Sequence, residues 1–159
     1  MSYDEEEGKG RRLRETGFNS IRIIIGNLTS GLSAEHDSYI RDSLIPSALK
    51  LFEAVVSVQR RTTPIVVTET TCVTATVPEN HKSDGVRDVD VLIYLTVSDP
   101  SAQDPVTGGF CEVDAAHNNA PIVGAIEINV EKFSQVTNET MLHAFIREIA
   151  SILGTSEDL

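Results

Sequence analysis

Hydrophobic side chains recur along this chain at two periods, and the switches between them lay out the elements. Ile21 to Ile25 is a short β-branched run closed by Gly26-Asn27, which predicts a buried strand. Ser33 or Asp37 caps the next segment. From Ser38 to about Arg60, Ile40, Leu44, Ile45, Ala48, Leu49, Phe52, Val55 and Val56 fall at helical spacing. Pro46 interrupts that pattern, so it marks a first helical turn or a kink. Thr63 to Val67 reads as a second strand. Residues 68–88 carry scattered polar groups, Cys72 and Pro78, and read as a long irregular excursion. Val89 to Val97 is the best central strand in the chain. Asp99 to Asn119, with Pro100, Pro105 and Gly108-Gly109, reads as loop or edge structure. Ile122 to Val130 alternates and reads as another strand. Thr137 or Asn138 then caps a helix that runs through Leu153 and stops at Gly154. A helix between strands, then several strands, then a final helix predicts an α+β domain, with a twisted mixed sheet and two main helices.

Composition narrows the class. At 159 residues the chain fits one domain with a real core. Its 40% hydrophobic content argues against global disorder. The net charge of −11 argues against nucleic acid or an anionic membrane as the main partner, because both would repel it. No apolar run approaches the roughly 20 residues of a membrane-spanning helix. Residues 1–20 begin with Asp4-Glu5-Glu6-Glu7 and continue with Lys9, Arg11, Arg12 and Arg14. That order lacks the basic start and apolar centre of a signal peptide. It reads as a solvated, disordered charged leader, followed by a domain over residues 21–159. Two cysteines, Cys72 and Cys111, do not define a redox compartment. Two sequons, Asn27-Leu28-Thr29 and Asn138-Glu139-Thr140, permit glycosylation of a secreted chain.

Candidate chemistry concentrates on the final helix, which reads Arg147-Glu148-Ile149-Ala150-Ser151-Ile152-Leu153-Gly154. The zinc-protease motif H-E-x-x-H sets two histidines one helical turn apart, with the glutamate beside them as general base. Here the glutamate and a following glycine keep their spacing, while Arg147 and Ser151 occupy the histidine positions. A guanidinium stays protonated and offers a metal no lone pair. A serine hydroxyl is not among the usual zinc donors. The plain alternative is an amphipathic core helix with a glycine cap, its Glu148 held in an ion pair because an unpaired buried carboxylate is costly. His36, His81, His117 and His143 form no pair at helical ligand spacing. His143 shares a face with Arg147 but lies about 140° around the helix from Glu148, so it cannot replace the first ligand. Glu112 and Asp114 read as solvated loop charges, and His117 as a loop residue. No nucleophile elbow supports a serine hydrolase, and Gly108-Gly109 lacks the phosphate-loop context.

The order and spacing of several segments carry more than any one of them. Ile21-Arg22-Ile23, Ile45-Pro46-Ser47-Ala48, and Cys72 with Val77-Pro78 five residues on come first. Asp90-Val91-Leu92-Ile93-Tyr94-Leu95-Thr96, Cys111-Glu112-Val113-Asp114, and Ala120-Pro121-Ile122-Val123-Gly124-Ala125-Ile126-Glu127-Ile128-Asn129 follow. Together with the Glu148 helix they resemble the leishmanolysin family from about Ile21 to Ser156. That resemblance implies a zinc endopeptidase of metzincin type, secreted or at the cell surface, with this chain matching the N-terminal half. It implies a last helix under the active-site cleft and a sheet edge strand that pairs with extended substrate. It also implies that Cys72 and Cys111 pair as a disulfide, with Cα atoms within roughly 7 Å. Glu148 matches the family's general base. The family's third histidine lies well downstream, whereas this chain ends five residues after Gly154. Substitution and truncation together imply a chain without zinc or other cofactor.

Three readings follow: a pseudoprotease that binds a peptide or protein partner, a fragment of a secreted or cell-surface zinc endopeptidase, or a structural subunit of a larger assembly. Leu142, Phe145, Ile146, Ile149, Ile152 and Leu153 span too wide an arc for one apolar stripe. Some are therefore expected to stay exposed, or to be covered by a partner or a second copy.

Overall fold

The centre of the domain is one strand whose two faces are both buried. The structure, a computed structural model, describes residues 18–26, 32–97 and 103–154. In chain order its elements are β1 (Phe18–Ser20), β2 (Ile23–Gly26), α1 (Ala34–Tyr39), a π-helical turn (Ile40–Leu44), α2 (Ile45–Val55) and β3 (Ser57–Gln59). Then come β4 (Thr71–Cys72), β5 (Ala75–Thr76), α3 (Glu79–Ser83), β6 (Val91–Val97), β7 (Val106–Asp114), β8 (Ala120–Ile128) and α4 (Asn138–Ile152). The main sheet runs β2-β6-β8-β7. Strands β2, β6 and β8 are parallel, and β7 closes one edge antiparallel to β8. The sheet is mixed and the domain α+β, as the pattern predicts.

Alternation along β6 divides the core in two. Ile93 and Leu95 face a cluster with Ile126, Ile128, Ala48, Phe52, Phe145, Ile149 and Ile152, so α2 and α4 cover this side. Leu92 and Tyr94 face a second cluster with Val123, Ala125, Ile65, Val67, Cys72, Ala75 and Val77. The irregular segment before β6 therefore forms a packed layer of its own.

Local chemistry explains the departures from the predicted elements. The long helix begins at Ala34, capped by the Ser33 hydroxyl, which accepts from the His36 N–H at 3.1 Å. Pro46 sits in the first turn of α2, directly after the π-helical turn. Proline brings no N–H and its ring crowds the preceding turn. The chain widens there, and the Ile45 N–H reaches back to the Ile40 carbonyl. Helix α2 ends at Val55 rather than near Arg60, because the next residues, β3, pair antiparallel with β1. Phe18–Ser20 is thus already a strand, within the stretch expected as leader. Residues 1–17 and Asn27 lie outside the described residues.

Thr63 to Val67 is not a strand. Ile65 makes a single antiparallel bridge to Val86, and the Val67 N–H goes to the His81 carbonyl instead of a ladder. Pro64 has no N–H to add. Ile65 and Val67 are nonetheless buried, so the alternation reports core contacts without a sheet. Of the loop-or-edge expectation over 99–119, residues 99–102 lie outside the described residues, and Val106–Asp114 forms the nine-residue edge strand β7, with register shifts around Glu112.

Two long-range ties hold the layers together. Asp90 precedes β6 and Arg22 precedes β2. The Asp90 carboxylate accepts from the Arg22 backbone N–H at 2.8 Å, from its Nε at 3.2 Å and from its Nη2 at 3.1 Å. It also accepts from the Arg61 N–H at 3.0 Å. This fork sets the β2–β6 register one residue before Ile23 meets Val91. On the other face Cys72 and Cys111 form a disulfide, with Cα atoms 5.5 Å apart, that ties the β4–β5 hairpin to edge strand β7.

The last helix buries more than a single stripe. Phe145, Ile149 and Ile152 are fully buried. Leu142, Ile146 and Leu153 are half-buried against the same core. None of the six stands exposed, which corrects the expectation from arc width. Helix α4 meets the sheet on one side and α2 with its π-helical turn on another, so two surfaces share the wide arc. The exposed apolar residues lie elsewhere, among them Phe110, Val73, Val113, Phe18 and Val55.

Candidate functional site

Two glycines let α4 lie close beneath the sheet edge. A Cβ on Gly108 of β7 would stand 3.5 Å from the Glu148 Cβ and 3.1 Å from the Ala125 carbonyl oxygen. A Cβ on Gly124 of β8 would stand only 2.8 Å from Ile152 Cγ2. Larger residues would push the helix away. Glu148 is therefore held against the edge strand. Its start is fixed by Thr137, whose hydroxyl accepts from the Thr140 N–H at 3.1 Å. Its end is marked by Gly154 at φ 78°.

Glu148 is half-buried, and burial pushes its carboxyl above the ordinary range. The Arg147 charge and the Gly108 N–H pull it back down, Asp104 pushes it up, and the net direction is upward. Such a shift suits a general base. Its flanking positions do not supply a metal. Arg147 and Ser151 are exposed on the solvent face, and His143 is exposed one turn earlier. Among the described residues no three His, Cys, Asp or Glu side chains come together in reach of one ion. Catalytic zinc ordinarily takes three protein ligands. A guanidinium and a hydroxyl beside one glutamate do not fit it.

Strand β7 has β8 on one side and, among the described residues, no strand on the other. Phe110 is 58% exposed on it, and Val73, at the hairpin tip over Gly109, is 53% exposed. Val73 holds φ 55°, a region β-branched residues avoid. The disulfide at the preceding residue pins that hairpin to β7. The result is an open, partly apolar edge alongside the helix that carries Glu148.

The acidic groups near Cys111 are tethers, not the free loop charges expected from sequence. A Glu112 carboxylate oxygen accepts from the Thr68 N–H at 2.6 Å, the Thr68 hydroxyl at 2.8 Å and the Glu69 N–H at 3.1 Å. Asp114 pairs with Arg61, accepts from the Ala116 N–H at 3.0 Å, and meets His117 Nδ1 at 2.7 Å. Their partners lie up to 53 residues away, so no local signal reveals them. Tyr94 is another polar group hidden in an apolar run. Burial, with a smaller push from Glu112, raises its phenol to about 12. Its hydroxyl lies 2.7 Å from His81 Nδ1, and burial lowers the imidazole's pKa. The two share a hydrogen bond whose donor is set by the imidazole tautomer. This pair docks α3 on the sheet, away from Glu148.

The described residues thus form a mixed α+β domain whose last helix carries a half-buried glutamate. The chain belongs to the leishmanolysin family, whose model, described as leishmanolysin, matches residues 22–159. A leishmanolysin homolog from Crithidia fasciculata is 28% identical over 127 residues, covering 79% of this chain. The chain spans 19% of the length of that relative.

Proposed function

We propose that this chain is a metzincin-like N-terminal half whose site binds an extended peptide or protein segment and does not hydrolyse it through zinc. The observation that carries this reading is the exposed pair Arg147 and Ser151, at the family's ligand positions, beside a Glu148 held under an open edge strand. An edge strand offers backbone donors and acceptors to a strand-like ligand. Phe110 and Val73 give that ligand apolar contacts on its two faces. The family places its substrate along such an edge, and the disulfide and the resemblance favour an extracellular or cell-surface setting. The relative's far greater length keeps the whole relative's activity out of this reading.

The test is a peptide selected from a display library on the full chain. Binding is expected to weaken about tenfold, or 1.4 kcal/mol, on Phe110→Asp. Methylating alternate backbone nitrogens of the peptide should weaken it similarly, and mass spectrometry should return the peptide intact. Affinity indifferent to both changes would remove the edge-strand site. Cleavage abolished by a zinc chelator would remove the inactive reading.

A further inference from the structure

We propose that Asn138 is an N-glycosylation site, modified in the oxidising lumen in which the Cys72–Cys111 disulfide also forms. Asn138-Glu139-Thr140 is an acceptor sequon. In the fold all three residues are exposed at the start of α4. The asparagine side chain makes no hydrogen bond among the described residues. The helix start relies on its neighbour: the Thr137 hydroxyl accepts from the Thr140 N–H at 3.1 Å and lies 2.9 Å from the Thr140 hydroxyl. Its backbone carbonyl accepts from the Tyr39 hydroxyl at 3.2 Å. A sugar on its side-chain nitrogen therefore displaces no packing and breaks no cap.

Position matters as much as exposure. Asn138 lies ten residues before Glu148, so about 15 Å of helix separates them. A glycan there leaves the β7 edge and the Arg147–Ser151 face open. The disulfide is the independent sign of compartment, because such bonds form and persist in oxidising lumens and outside cells. The transfer itself is balanced. The Asn138 side-chain nitrogen bonds to the anomeric carbon of a lipid-pyrophosphate-linked oligosaccharide. The bond from that carbon to the pyrophosphate oxygen breaks, the lipid pyrophosphate leaves, and the amide gives up one proton.

The test uses the full chain purified from the cells that make it, before and after peptide-N-glycosidase. The expected result is a downward mass shift with the deamidation mark at Asn138 in the peptide map. Asn138→Gln and Thr140→Ala are each expected to abolish that mark, while Thr140→Ser keeps it. Thr140→Ser separates loss of the acceptor from loss of folding, and thiol titration of every variant reports whether the disulfide still forms. An unmodified Asn138, with or without sugar at Asn27, would overturn the proposal.

Discussion

Replacing both Cys72 and Cys111 with alanine is expected to cost about 4 kcal/mol of stability, from the freedom returned to an unfolded loop. The loop they close spans 39 residues. It holds β5, the five-residue α3, all of β6 and the start of β7, and its first half, before β6, carries only the short hairpin strand and α3. That first half is otherwise held by the second core cluster and the Ile65–Val86 bridge, while β6 has its ladders to β2 and β8. For a domain of this size the thermal midpoint should fall by roughly 8–16 °C. Urea or thermal unfolding of the double variant against the parent measures it. Hydrogen exchange should show residues 65–86 losing protection before the β6–β8 centre does. An unchanged midpoint would mean that the second layer holds itself in place without the covalent tie.

Asp90→Ala is expected to cost about 3 kcal/mol, the lower end for breaking a buried pair by removing one partner. The Asp90 side chain is 5% exposed and the Arg22 side chain 24%, so the orphaned guanidinium regains some water. The Arg22 and Arg61 backbone N–H groups lose their acceptor as well. Burial alone would raise the Asp90 carboxyl, but hydrogen bonds from the Arg22 side chain and from the Arg61 and Arg22 amides, with the Arg22 charge, outweigh it. Its folded pKa therefore lies below the ordinary value of about 3.9. The folded state binds this proton less readily than the unfolded one. The contribution is complete above the unfolded pKa and is lost as pH falls from about 4 through the folded value. Denaturation of parent and variant across that range should converge at the acid end. Parallel curves would show that the carboxylate's charge is not what stabilises the start of β6.

What could be read from the chain alone follows the range of the forces involved. Val91–Val97 and the last helix were legible because burial on both faces, or at helical spacing, writes itself into consecutive residues. The stop of α2 at Val55 was not, because it depends on β3 meeting β1 some forty residues earlier in the chain. Thr63 to Val67 misled for the converse reason: Ile65 and Val67 are buried as in a strand, while their N–H groups go to a single bridge partner, Val86, and to the His81 carbonyl of α3. At the site, the identities of Arg147, Glu148 and Ser151 were visible at once. Their surroundings were not. The seat of Glu148 depends on Gly108 and Gly124, residues that sequence marks only as breakers. The roles of Glu112 and Asp114 depend on Thr68 and Arg61, which no periodicity connects to them.

Metal content tests the central claim most directly. The full chain, equilibrated with zinc and dialysed, should hold no stoichiometric zinc, because a cation and a hydroxyl flank Glu148 where imidazoles are needed. About one zinc per chain, lost on Glu148→Gln or His143→Ala, would contradict the account and return this helix to the working metallopeptidases.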